Sequence, residues 1–445
     1  MPPLTRRRVA RARPPYELVA RIAVLEPQAR AHALDACGPE GWGTRAGGSG
    51  PGLSLLAAEP EVELRGGAEV FGELRRWLGP REAAPPLGSI AVGYLAYDLG
   101  RELERIAGEP ASAPVAPIAP VYMGGFRAVY RWDASERRGE VVGVDPAAVA
   151  RLHELVETAA HSSPAPLPCL GAARGAAPEA GFLDGVRTIR EWIRAGDVYQ
   201  VNLSRRLELG HLELAGLATL YGDLTARAGA PFSAWLDAGP VQVVSNSPER
   251  FLRIDGRRVE TCPIKGTRPR GRTPGEDRWL AKELVHSPKD RAEHVMIVDL
   301  ERNDLGRVCR TGSVRVARLA DLRSFATVHH LVSSVQGELR DPADWHGLLS
   351  ATFPGGSITG APKLRAMEII EQLEPVRRGI YTGAIGYFDA AGGADLSIVI
   401  RTAVAEHGQL HLQLGGGIVA ESDPEAELQE TRDKGNAFAR FWQAP

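Results

Sequence analysis

The chain has 445 residues, 44% hydrophobic and 24% charged, the balance of a globular protein with length enough for two or three domains and a large core. A net charge of −2 gives no overall attraction for nucleic acid or an anionic membrane surface, so any anion site has to be local. No run approaches the roughly 18 apolar residues of a membrane helix, and Cys37, Cys169, Cys262 and Cys309 lie too far apart for a close metal-ligand pair, which suits scattered reduced thiols.

The N-terminal string MPPLTRRRVARARPP is basic but leads into no apolar segment, so it does not read as a secretory signal. Its composition alone would suit a transit peptide. The same Ala/Gly/Arg/Pro bias runs through the whole chain, which favours a bacterial cytoplasmic protein. Residues 1–160 form a first region of short apolar stretches broken by Gly and Pro, with strands predicted at SIAVGYLAYDLG from Ser89 and FRAVYRWD from Phe126. Residues 161–180 are rich in Pro, Ala and Gly without periodicity and read as a linker.

From Gly181 the pattern changes. Val186, Ile189 and Ile193 repeat at helical spacing and Gly196 is a natural stop. Strands are predicted at VQVVS from Val241 and in a run reaching Cys262. A helix begins at Ser287, with Pro288 at its first position and Asp290 closing a pattern like a capping box. HHLVSSVQGEL, GIYTGAIGYFD, LSIVIRTAV and LHLQLGGG read as strands, KLRAMEIIEQL as a helix, and a last helix starts near Pro424. No internal repeat is visible. Irregular alternation with several strands close in sequence predicts an α+β fold, with large, mostly antiparallel sheets flanked by helices.

Three groups of residues could carry chemistry. Asp290 and Glu293 lie three apart on one predicted helix, and Glu427 and Glu430 three apart on another, followed by Lys434. Such spacing shares a helical face, which suits either solvated surfaces or, if the faces meet, an oxygen cage for a hard cation such as Mg²⁺. The loop FPGGSITGAPK, Phe353 to Lys363, runs into a helix, and Gly415-Gly416-Gly417 follows a strand. Each is either a tight turn or a place where backbone approaches a ligand. Lys265, Arg268, Arg401 and Lys434, with Tyr381 and His330, form a basic and polar set. Arg401 ends the apolar string VIRT and suits carboxylate recognition or an interior ion pair. His329 and His330 point to opposite faces of a strand, so at most one faces a site. Lys265, near other cations and with Glu249 sixteen positions upstream, is either a solvated charge, an anchor or an amine of lowered pKa able to act as a nucleophile.

The strings GDVYQVNLSRR, SPERF, PIKGTRPRG, AEHVMIVDLERNDLGR, FPGGSITGAPK, RGIYTGAIGYF, IRTAV and ESDPEAELQETRDK, in order from about Gly181 to Ala437, resemble the chorismate-utilising enzymes. The resemblance makes residues 181–445 a chorismate-binding catalytic domain and residues 1–160 the more variable N-terminal portion of the anthranilate synthase type. Gln200 stands where the isochorismate and salicylate synthases carry a water-activating lysine, which argues against hydration. Lysine at 265, where anthranilate synthases typically have alanine, resembles the aminodeoxychorismate synthase branch.

That branch implies a covalent route. Lys265 attacks ring carbon 2 as the 4-hydroxyl leaves with a proton from Glu249, and ammonia then adds at carbon 4. The resemblance assigns substrate contacts to Gly266, Thr267, His330, Thr359, Tyr381, Arg401, Gly415, Gly416, Gly417 and Lys434. It assigns Mg²⁺ to Glu293 and Glu430, with Glu427 and Asp290 in support. No cysteine here has a glutaminase-like setting, so ammonia is expected from a separate glutamine amidotransferase subunit. Leu34-Asp35-Ala36-Cys37 stands where related chains often have the Leu-Asp/Glu-Ser wall of a tryptophan pocket, with Ala36 replacing serine. Pro231 to Ser233 matches the other wall. The rival readings are an anthranilate synthase large subunit, a non-catalytic regulator binding chorismate or tryptophan, and, remotely, a pyridoxal-phosphate enzyme.

Overall fold

The computed structural model describes residues 4–37, 41–44, 52–79, 87–104, 106, 118–170, 173–325, 328–439 and 441. Among them two sheets dominate, of twelve and ten strands. The larger runs in space from Thr5–Arg8 through Arg138–Gly143, Ala128–Asp133, Ser54–Ala57 and His32–Asp35 to Phe232–Asp237. It continues through Val241–Ser247, Thr402–Glu406, Gln409–Ile418 and Gln200–His211 to Gly360–Ala361. The smaller runs Ile264–Pro269, Val328–Glu338, Arg258–Cys262, Arg250–Asp255, Ala394–Ile398, Ala384–Asp389, Ile90–Leu95, Val121–Phe126 and Val62–Gly66. Neighbouring strands pair antiparallel.

The sheets pack face to face, and the seam between them is a core of Leu34, Leu55, Phe232, Val243 and Val404 from the larger against Ile90, Val92, Tyr122 and Ile385 from the smaller. Helices Pro15–Leu25, Pro146–His161 and Leu214–Ala228 cover the outer face of the larger sheet. Val70–Leu78, Pro288–Val308 and Trp345–Thr352 cover the smaller. Glu179–Ala195, Lys363–Leu373 and Pro424–Ala439 flank the far end of the larger sheet, where Val186, Ile189, Ile370 and Leu428 bury against Val201, Leu203 and Ile418.

Local signals account for several boundaries. Ser287 Oγ accepts from the Asp290 amide at 3.3 Å, with Pro288 in the first turn. Gly196 ends its helix at φ +87°, a conformation a side chain would strain. Three readings change. The triple glycine does not follow a strand but lies inside Gln409–Ile418, paired with Asn202, Leu203 and Ser204. LSIVIRTAV is two strands, since the chain leaves the smaller sheet after Ile398 and enters the larger at Thr402, with Arg401 in the break at φ +51°. Residues 146–161 of the first region are helix.

The boundary expected at 161–180, of which 171–172 lie outside the described residues, does not separate the sheets. His32–Asp35 pairs with Phe232–Asp237, and Ile90–Leu95 with Ala384–Asp389, so the first region completes both sheets.

One buried ion pair ties the first region to the second. Arg250 Nε and Nη2 reach the two Asp395 oxygens at 2.9 and 3.1 Å, with both side chains essentially inaccessible. Arg250 Nη2 also donates to the carbonyls of Gly41 and Thr44, and Asp395 accepts from the Gly43 amide. Removing one partner strands the other charge in the core, so Asp395→Ala should lower unfolding free energy by about 3–5 kcal/mol in urea titration. The double variant Arg250→Met/Asp395→Leu should lose less than Asp395→Ala alone.

Candidate active site

Lys265 and Glu249 are brought together where Arg258–Cys262 and Ile264–Pro269 run end to end along Val328–Glu338, with Pro263 at the break. Cys262 pairs with Arg250, and the next amide, of Ile264, reaches the Glu249 carboxyl. Lys265 sits on the edge strand beside Val328–Glu338, opposite Leu331, and its Nζ donates to the Ser357 carbonyl at 3.3 Å. Burial pushes the Glu249 carboxyl up, against Ser357 and Lys265. Burial also pulls the Lys265 ammonium down, against Glu293 and Glu249, with Lys434 adding to the fall. The two shifts are convergent: a carboxyl made easier to protonate faces an amine made easier to deprotonate.

The carboxylates from the two helices meet. Glu293 on Pro288–Val308 and Glu427 on Pro424–Ala439 each feel the charge of Glu430, and burial raises Glu293 and Glu427. Burial pushes Glu430 up as well, but Lys434 more than offsets it and holds the carboxyl below its usual range. Lys434 Nζ lies 2.6 Å from Glu430 and 2.8 Å from the Gly415 carbonyl. Lys289 stands 4.0 Å from Glu293. Asp290 is held instead by Arg268, at 3.1 Å. With lysines as counter-ions, no three His, Cys, Asp or Glu side chains among the described residues converge closely enough to hold a metal. The donor set is nonetheless all carboxylate oxygen, the ligand type a hard cation takes.

The remaining candidates line the same end of the gap between the sheets. His330 is buried, with Nδ1 2.9 Å from Thr267 Oγ1 and 3.4 Å from the Gly266 carbonyl. Its Nε2 has no protein partner. Burial, then Arg401, pushes it down to about 3, so the ring is neutral. His329 points away, to Asp277 and Ser324. Gly266 takes φ +76°, and a Cβ there would meet Leu284 at 2.8 Å. Thr359 is fully buried; its hydroxyl bonds the Gly355 carbonyl and its own carbonyl accepts from the Asn202 amide. Burial lowers Arg401, against Glu249. A cation at a break between sheets, among a neutral histidine, a lysine amine and glycine backbone, can hold an organic anion beside an amine nucleophile and a protonated acid.

Residues 33–440 match the family model described as chorismate binding enzyme. The chain is 39% identical to anthranilate synthase component 1 1 of Haloarcula marismortui over 96% of its own length and 92% of that protein. It is 42% identical to aminodeoxychorismate synthase component 1 of Bacillus subtilis over 79% of its length and 76% of that protein. The crystal structure of anthranilate synthase component I from Streptococcus pneumoniae superposes with a TM-score of 0.77 at 28% identity, covering 94% of this chain and 96% of that one.

The chain belongs to the chorismate-binding enzymes.

Within this family member, sequence reasoning missed three buried features of the site. Glu301 is buried with Oε2 accepting from Thr261 at 3.0 Å, and burial, then Glu249, raises its carboxyl well above the usual range. Arg378 is fully enclosed beneath Tyr381. It bonds Glu374 through Nε at 3.0 Å and Nη2 at 2.7 Å, and donates to the carbonyls of Ile358 and Asn202. The spacing of four between Glu374 and Arg378 was a readable signal. Third, Ser357 contributes through its carbonyl, which no residue pattern reveals.

The two walls of the resembled tryptophan pocket are packed against the chain itself. A Cβ on Gly41 would sit 2.5 Å from the Pro231 carbonyl and 2.9 Å from Ala36 Cβ. The fully buried Trp42 indole donates to the Ser233 carbonyl at 3.0 Å and meets the Phe232 ring edge-on at 5.1 Å. No helix among the described residues is long and apolar enough to cross a membrane.

The Lys265 amine should titrate below 10.5 when followed by NMR of the ¹³C-methylated protein. Because Glu249 acts to raise Lys265, Glu249→Gln should move that midpoint further down; an upward move would show that the two groups do not face each other.

Proposed function

We propose that the chain is the chorismate-aminating component of aminodeoxychorismate synthase, forming 4-amino-4-deoxychorismate on the way to 4-aminobenzoate and folate. The observation that carries this reading is the pairing of a lysine of lowered pKa with a buried carboxyl of raised pKa at 265 and 249. Anthranilate synthesis needs no amine nucleophile of its own.

In this scheme the free Lys265 amine adds to ring carbon 2, the two ring double bonds shift, and the 4-hydroxyl departs as water with the proton of Glu249. Ammonia adds at carbon 4, the double bonds shift back, and the carbon–nitrogen bond to Lys265 breaks. The proton shed by the new ammonium restores Glu249, so chorismate and ammonia give the amine and water. Dividing one hard substitution into two displacements is the gain from a covalent amine. Arg401 and Lys434 hold carboxylates, His330 and Thr267 present neutral groups to the ring, and Tyr381 with Thr359, Gly266 and the glycines at 415–417 shape the cleft. Glu293 and Glu430 would hold Mg²⁺, with Glu427 and Asp290 in support. The ion, when bound, supplies positive charge against the substrate carboxylates. Ammonia would come from a glutamine amidotransferase subunit. With the pocket walls closed on Trp42, free tryptophan is not proposed as a ligand.

Anthranilate synthase is the second reading, favoured by the 39% identity that extends over 96% of the chain. Incubation with chorismate, Mg²⁺ and ammonium chloride separates them: the 4-amino product is expected, and anthranilate with pyruvate in its place would sink the proposal. Lys265→Ala should abolish the covalent adduct seen by intact-protein mass spectrometry and lower kcat by a factor on the order of 10² or more.

The pH profile follows from the same pair. The working form carries Glu249 protonated and Lys265 neutral, so activity falls in acid as Lys265 protonates and in alkali as Glu249 ionises, with the apparent values belonging to the pair. Since Glu249 rises from 4.5 and Lys265 falls from 10.5, both limbs of kcat/KM should lie inside that interval. A pH-independent rate across it would overturn the assignment.

A further inference from the structure

Ser357 stands against both members of the reacting pair. Its carbonyl accepts from Lys265 Nζ at 3.3 Å. Its hydroxyl lies toward the Glu249 carboxyl and favours that group's ionised form. The side chain is 5% exposed, and Oγ closes no hydrogen bond among the described residues. A buried hydroxyl left open in this way is uncommon, because it has given up water and gained nothing in return.

The loop that carries the hydroxyl is otherwise saturated. Gly356–Ile358 is a short 3₁₀ turn. The Ile358 amide and the Thr359 hydroxyl both bond the Gly355 carbonyl, at 3.4 and 3.0 Å. The Ile358 carbonyl accepts from Arg378 Nη1 at 3.0 Å. Glycines let the turn sit close to its neighbours. A Cβ on Gly356 would stand 2.5 Å from Leu300, and one on Gly355 3.0 Å from Ile398. The turn is thus wedged between the helix Pro288–Val308 and the end of the strand Ala394–Ile398. A loop fixed at so many points holds its one open hydroxyl in a set place.

The other groups facing Glu249 are already committed. Lys265 from the edge strand and Arg401 from the break between sheets favour its ionised form, and the Ile264 amide donates to it. Glu301, from the helix Pro288–Val308, is bonded to Thr261 and is raised by the Glu249 charge. Among these neighbours Ser357 is the neutral donor that can still turn, by rotation about one bond. A protonated carboxyl carries its proton on one oxygen and can accept on the other. A hydroxyl donating to the second oxygen leaves the proton on the first. Once that proton departs, the same hydrogen bond becomes charge-assisted and roughly twice as strong. In the complex the substrate carboxylates disfavour an ionised Glu249, so the hydroxyl acts as charge develops there and not before.

We propose that Ser357 is a positioning residue for the acid, its hydroxyl turning onto the Glu249 carboxyl as that group gives up its proton and stabilising the carboxylate left behind. This deepens the amination reading and rests on its assignment of Glu249 as the acid. Ser357 keeps its own proton throughout: the O–H bond of Glu249 breaks, and the proton leaves with the 4-hydroxyl as water.

Ser357→Ala removes the hydroxyl alone. With ammonium chloride at saturating chorismate, kcat should fall about tenfold with the KM for chorismate unchanged. Ser357→Cys, which keeps a weak donor, should fall between alanine and the parent. A second measurement needs no turnover. In the free protein labelled with ¹³C-glutamate, the Glu249 signal, assigned by its loss in Glu249→Gln, should titrate at higher pH in Ser357→Ala, because the hydroxyl favours the ionised form. Urea unfolding should be unchanged, since the hydroxyl bonds nothing within the fold. An unchanged kcat, a Glu249 midpoint that stays or falls, or a marked loss of stability overturns the role of Ser357. An inactive Glu249→Gln beside a fully active Ser357→Ala sinks this proposal and leaves the amination reading standing. A fully active Glu249→Gln sinks both.

Discussion

Charge has to be kept between two sheets, and that constraint governs the rest of the structure. A sandwich interior stabilises itself by excluding water, and each ion placed there loses hydration that its neighbours must replace. The chain answers with buried pairs whose partners are close neighbours, on adjacent strands of the smaller sheet for Arg250 and Asp395 and four residues apart for Glu374 and Arg378. Arg250 and Asp395 close one end, and Glu374 and Arg378 another, each with both partners almost inaccessible. Their remaining donors are taken up by backbone carbonyls, of Gly41 and Thr44 in one case and Ile358 and Asn202 in the other. Such pairs contribute little net stability, but they fix position, and here they fix the neighbours of the working groups. Arg250 follows Glu249, and Arg378 underlies Tyr381.

The same burial sets the chemistry. Lys265 and Glu249 are each displaced toward the uncharged form by desolvation, and each is partly pulled back by the other. In water the pair would exist as an ion pair, the wrong protonation state for the proposed amine attack and proton donation. Burial narrows the gap between the two values, so the neutral pair becomes an accessible fraction of the enzyme. The carboxylates at 293 and 430 act against this, since their charge favours a protonated lysine. A cation among them would therefore do more than meet the substrate carboxylates. It would also remove the influence that keeps Lys265 charged.

Much of this was legible in the sequence where one local signal sufficed. Ser287 with Pro288, Gly196 and the periodicity around Val186 place helices within a residue or two. The acidic positions three apart on two helices left two readings open, solvated faces or an oxygen cage, and spacing alone could not show that Glu430 comes near Glu293. What was hidden depends on contacts distant in sequence. LSIVIRTAV reads as one strand because nothing in its composition marks the change of sheet at Arg401. The first region reads as a unit because its partners, Phe232–Asp237 and Ala384–Asp389, lie far downstream. Asp290 matched the spacing of a metal ligand, yet Arg268 from a neighbouring strand holds it.

The break at Arg401 shows why the unread parts matter most. An arginine at the end of a continuous strand would alternate into one sheet face and find a partner along it. At φ +51°, between two sheets, its backbone carbonyl accepts from the Asn246 amide. Its guanidinium has Glu249 as the neighbouring charge that opposes its desolvation. Asn246 in turn accepts from Ser233, whose carbonyl receives the Trp42 indole. The positive-φ conformation is costly for a residue with a side chain, and this chain of bonds from the first region to the second is what over-determines it. The N-terminal strands thus do more than complete two sheets: His32–Asp35 pairs with the strand that carries Ser233, and so holds the segment that fixes Arg401 beside Glu249.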